Sequence, residues 1–80
     1  MPVTYYVIVY FDRDAEGGLK PIEAREATSA WGAERAARFL AQDHAGAIAF
    51  SRTGDPVTGE FQDAVVLARF GDVDLDALSA

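Results

Sequence analysis

The stretch Val3-Thr4-Tyr5-Tyr6-Val7-Ile8-Val9-Tyr10-Phe11 is apolar at nearly every position and consists mostly of β-branched and aromatic residues. That composition suits a pleated strand. Asp12–Gly18 follows with acidic and glycine turn chemistry. Leu19–Thr28 has two readings. Pro21 suits the first turn of a helix. However, one unbroken helix from Pro21 to Ala45, at about 100° per residue, would put Arg25 and Glu26 on the stripe that carries Ala36 and Leu40. A second strand hairpinned to the first avoids this, with Ile22 and Ala24 facing inward and Glu23 and Arg25 outward.

Thr28 or Ser29 then caps a helix running to about Ala45. Its apolar stripe is Ala33, Ala36, Ala37, Phe39 and Leu40, and Gly46 stands where a left-handed C-terminal cap belongs. Ala47–Arg52 reads as a third strand, Thr53–Gly59 as a long turn and Phe61–Phe70 as a fourth strand, broken by Gly71-Asp72. The tail Val73–Leu78 is expected to form a short helical turn with Leu75 and Leu78 on one side. The order β-β-α-β-β predicts an α+β, two-layer fold, with one helix packed on a four-stranded, mainly antiparallel sheet. Residues 1–71 form the domain and 72–80 the tail.

The first strand is apolar on both faces, with Val3, Tyr5, Val7, Val9 and Phe11 on one and Tyr6, Ile8 and Tyr10 on the other. The fourth behaves alike, with Val66, Ala68 and Phe70 opposite Val65 and Leu67. An antiparallel sheet with one wet face should alternate apolar and polar positions. One helix covers one face only, which leaves an apolar surface at the upper end of what monomers expose. A second copy, a different protein or the tail (Val73, Leu75, Leu78) could cover it. Two-fold dimers are the commonest assembly. Tyr6, Ile8, Tyr10, Val66 and Phe70 are therefore expected to form a homodimer interface.

Charge and ends narrow the setting. Thirteen acidic residues against seven basic ones give a net charge of −6. Phosphate backbones and anionic membrane surfaces repel such a chain, so neither nucleic acid nor membrane is an expected partner. Val3–Phe11 is too short to span a bilayer, and no basic segment precedes it as in a signal peptide. A cytoplasmic location is expected. With no cysteine in the chain, disulfides and thiolate metal sites are excluded.

Few residues carry candidate chemistry. Asp12–Glu23 resembles an EF-hand calcium loop over twelve residues: Asp12, Asp14 and Glu16 stand at ligand positions, Gly17 at the turn and Glu23 at the last position. The resemblance implies a calcium site, against which stand the strand before the loop, the long Glu16 and Pro21 inside it. Arg52, Asp55, Thr58 and Glu60 gather polar groups in one turn and could line a small site; ordinary turn chemistry also accounts for them. Trp31 falls off the apolar stripe, as a contact residue would, or else stacks on Arg35. His44, the only histidine, is expected in the last helical turn against the helix dipole. Asp43 falls near the apolar stripe and is expected to be partly buried. The expected function is a non-catalytic interaction module acting as a homodimer, with no cofactor. The alternatives are a calcium-binding module, or a ligand binder or enzyme that gathers His44, Asp43, Asp55 or Glu60 in a dimer cleft.

Overall fold

The apolar N-terminal run forms β1 (Val3–Arg13). The structure is a computed structural model that describes residues 2–76. β1 pairs antiparallel with β2 (Leu19–Ala27) on one side and with β3 (Gly46–Asp55) on the other. Two further strands share the far side of β3, β4 (Glu60–Phe61) near one end and β5 (Val65–Gly71) along the rest. One helix, α1 (Ala30–Leu40), packs on β1, β3 and β5. The α+β two-layer fold is the expected one, with five antiparallel strands instead of four.

The extra strand comes from a break in the run Phe61–Phe70. The Gln62 N–H donates to the Thr53 carbonyl at 2.8 Å, and Asp63 and Ala64 leave the ladder before Val65 rejoins it. The hairpin reading of Leu19–Thr28 is correct. Its facing is not: Glu23 and Arg25 lie opposite Tyr10 and Ile8 on the helix side, and Ala24 lies opposite Val9 on the other. Ile22 is the extra residue of a bulge between the Tyr10 and Phe11 pairs and is 52% exposed.

Ser29 caps α1, its hydroxyl accepting the Gly32 N–H at 3.0 Å. The helix ends at Leu40 instead of about Ala45, and Ala41–Ala45 form a turn. Gly46 is not its cap. It opens β3 without a positive φ, and a Cβ there would meet the Asp72 carbonyl oxygen at 2.1 Å, so glycine permits the close passage of two backbones. Phe39 is not in the stripe either. Relative to Ala33, about 100° per residue puts Ala37 and Leu40 within roughly 40° and Phe39 some 240° round. It is 67% exposed. Asp43 is exposed as well.

Two cores result. On the helix side, Ile8, Tyr10, Ala47 and Ala49 pack against Ala33, Ala37 and Leu40, with Tyr6, Leu67 and Phe70 at the margin. The other side of the sheet carries Val9, Phe11, Ile48 and Phe50, all buried, with Val7, Leu19, Ala64 and Val73 against them. Four of the five residues expected at an interface, Tyr6, Ile8, Tyr10 and Phe70, thus belong to the helix-side core. Only Val66 lies on the helix-free face, 45% exposed. In the tail, Val73 packs on the helix-free core, and the short helical turn occurs at Leu75 and Asp76. Leu78 lies outside the described residues. No described helix is long and apolar enough to cross a membrane.

If the helix-free cluster is a true core, truncating it should cost as much as truncating the helix side. Ile48→Ala and Ile8→Ala are each expected to lower unfolding stability by about 2–4 kcal/mol in urea titrations. A loss at Ile48 of a few tenths only would show that its cover is not part of the fold.

Candidate functional site

The helix-free face divides along β1. At its Phe11 end the chain covers itself with Leu19, Ala64 and Val73. Toward Val3 no such cover is present among the described residues, and a groove of about 260 Å³ runs between Tyr5, Val7, Glu26, Arg52 and Phe61. Register places these side chains. Tyr5 lies opposite Arg52, and Val7 opposite Glu26 and Phe50. Directly opposed residues project from the same side of a sheet. The Tyr5 and Phe61 rings meet at a centroid distance of 6.1 Å, tilted by 40°. The Arg52 guanidinium lies 5.7 Å above the Phe61 ring. Its Nε is shielded from water and has no hydrogen-bond partner, and Arg52 forms no ion pair among the described residues. Leaving such a donor unmet costs about 1–3 kcal/mol. The groove is apolar and aromatic, with the Arg52 cation and the Glu26 carboxylate at its flanks.

The residues singled out from the sequence take other places. Asp55, Thr58 and Glu60 do come together, lining a cleft of about 410 Å³ with Thr53, Phe61 and Gln62. Much of their bonding is that of the turn: Asp55 Oδ1 accepts the Val57 N–H at 2.9 Å, and Thr58 Oγ1 accepts the Glu60 N–H at 3.3 Å. Arg52 belongs to the neighbouring groove instead. The carboxylates of the calcium-like loop diverge. Asp14 Oδ1 accepts the Glu16 and Gly18 N–H groups at 2.9 and 2.8 Å, closing the β1–β2 turn. Asp12 and Glu23 bond elsewhere, and Glu16 is exposed. Among the described residues, no three His, Cys, Asp or Glu side chains stand where they could hold a metal ion. Trp31 is exposed with Arg35 4.7 Å from its ring, the stacking alternative weighed from the sequence.

His44 lies beyond the helix, in the turn before β3. Its Nδ1 is 2.7 Å from Asp12 Oδ2, while Asp12 Oδ1 accepts the Ala45 N–H at 3.1 Å. The His44 ring lies against Tyr10, centroids 4.3 Å apart, and the Tyr10 hydroxyl donates to Glu23 at 3.0 Å. These bonds tie the turn after α1 to the end of β1 and β2. The hydrogen bond from His44, helped by the Ala45 N–H, holds the Asp12 carboxyl below the usual aspartate range against a smaller desolvation effect. The Tyr10 hydroxyl, then Arg25, does the same for Glu23. The bond to Glu23 in turn pushes the Tyr10 phenol up. Asp55 and Glu60 sit at the opposite end of the sheet, beside Gly54 and Phe61, roughly 30 Å away along β1. Within one chain the candidate acids and bases do not converge.

Compared with known protein families, curated proteins and solved structures, the chain matches none of them.

Sequence reasoning missed Tyr5, Val7, Glu26 and Phe61 as groove residues. The first two lie in the odd-numbered set of β1 and Glu26 opposite Val7, so choosing the other face would have found all three.

Both depressed carboxylates stabilise the fold above their unfolded pKa, near 4, and lose that contribution as pH falls through the lower folded values. The melting temperature is therefore expected to drop on acidification below about pH 4. Asp12→Asn should lower it at neutral pH and flatten part of the acid slope; a slope identical to wild type would exclude Asp12 as a latch.

Proposed function

We propose that the chain is a non-catalytic interaction module that works as a homodimer through the Val3-proximal half of its helix-free sheet face. The supporting observation is the groove between Tyr5, Val7 and Phe61, in which the Arg52 Nε lacks both water and an acceptor. Val3 and Val66, exposed nearby on the same face, extend the apolar patch. Large amphipathic aromatics and arginine are the residue types that concentrate binding energy in interfaces. This reading keeps the self-association expected from two-sided strands and moves it to the opposite face.

Size-exclusion chromatography with light scattering tests it. The wild-type chain is expected to run as a dimer in the micromolar range. Tyr5→Asp, which places a charge in the patch, should shift it to monomer. Phe39→Asp, on the exposed side of α1, should leave the dimer intact. A wild-type monomer at every accessible concentration would overturn the proposal.

A further inference from the structure

Resting on that association, we infer that two copies meet about a two-fold axis running along β1, and that Arg52 of each copy takes Glu26 of the other as its ion-pair partner. The two groups sit on either flank of one strand: Glu26 opposite Val7 on β2, Arg52 opposite Tyr5 on β3. Each is one strand, about 5 Å, from β1, and they are two residues, about 7 Å, apart along it. A two-fold axis between stacked sheets and parallel to β1 exchanges the flanks and preserves the level along the strand. It lays the β2 flank of one copy over the β3 flank of the other. Glu26 then faces the partner's Arg52 twice, and Tyr5 and Val7 stack on their own copies. The covered Phe11 ends fall at the same level in the two copies, so the sheets meet over Tyr5 and Val7 and diverge toward Phe11. Long Glu and Arg side chains span the remaining offset.

Two further observations favour this axis. An axis across the strands would set β3 on β3 and β2 on β2, bringing Arg52 toward Arg52 and Glu26 toward Glu26. Like charges in contact reject such a pairing. Glu26 is also exposed and, like Arg52, forms no ion pair among the described residues. Each copy carries a net charge of −6, so the copies repel at long range. A local complementary pair at the apolar patch supplies what that repulsion requires, and it fixes the register of the two sheets.

The test is a charge exchange between chains. Arg52→Glu alone sets Glu against Glu at both contacts, and Glu26→Arg alone sets Arg against Arg. Each variant by itself is expected to dimerise at least about ten-fold more weakly than wild type. Mixed together, one chain offers Glu at both positions and the other Arg. A heterodimer containing one of each is expected by native mass spectrometry. Far-ultraviolet circular dichroism checks that each variant is folded. The milder Arg52→Gln and Glu26→Gln should weaken the dimer in the same direction without reversing charge. A dimeric wild type whose four variants dimerise as it does, or a mixture that recovers nothing, overturns the pairing and leaves the association standing. A monomeric wild type removes both.

Discussion

The structure depends on β1 being apolar on both faces while the described residues supply one helix. Everything else answers that constraint. On one side α1 approaches closely because small residues line both partners, Ala33 and Ala37 on the helix and Ala47 and Ala49 on β3. Ile8 and Tyr10 of β1 fill the space the alanines leave. On the other side there is no second helix among the described residues. The bulky set Val9, Phe11, Ile48 and Phe50 is flanked within the sheet by Leu19 of β2 and closed by Ala64 from the break between β4 and β5 and Val73 after β5. Irregular cover of this kind is local, and it ends before Tyr5.

The same constraint explains how much was legible from the sequence. The two-sided strand, the hairpin and the helix cap follow from composition, helical phase and local chemistry, and these gave the layer architecture. Which face of β1 lies under the helix did not follow, because β1 offers nearly equal apolar sets on its two faces. The deciding signal lay in β3, where alanine alternates with Ile48 and Phe50. An alanine-rich helix stripe packs closest over the alanine face, and antiparallel pairing of Ile8 with Ala49 and Tyr10 with Ala47 carries that choice to β1. Gly46 misled for a related reason. Its position after a helix suggests a cap, yet what demands glycine is the backbone of Asp72 passing beside it, a contact between residues far apart in sequence.

Among the candidate sites, the histidine and the acidic hairpin were legible as residues but not as arrangements. Asp12 sits first in a plausible calcium loop by spacing, but the fold turns it toward His44 and the Ala45 N–H instead. The carboxylates of such a loop converge only when the backbone winds round one point. A β-hairpin in which Asp12 pairs with Lys20 and Tyr10 with Glu23 spreads them along a ladder instead. Polar groups at the two ends of a sheet whose central strand spans eleven residues stay apart for the same geometric reason.

The edges themselves are why the proposed association uses a face of the sheet and not an edge. β2 is the outer strand on one side, and it carries Lys20, Pro21, Glu23, Arg25 and Glu26 as well as a bulge. Charge, proline and bulges are the features that discourage edge-to-edge pairing. β5 on the other side is apolar, but Leu67 is an extra residue there, breaking the regular ladder beside β3. Trp31 and Phe39 on the exposed side of α1 are large and apolar, yet the nearby cations are engaged within the chain, Arg35 over Trp31 and Arg38 over Phe70. Arg52 also lies over a ring, that of Phe61, but it differs in having a nitrogen cut off from water without an acceptor. A buried donor left unmet is what a folded chain avoids unless something else completes it, and on this molecule it belongs to a residue that lines the groove on the less covered half of the sheet.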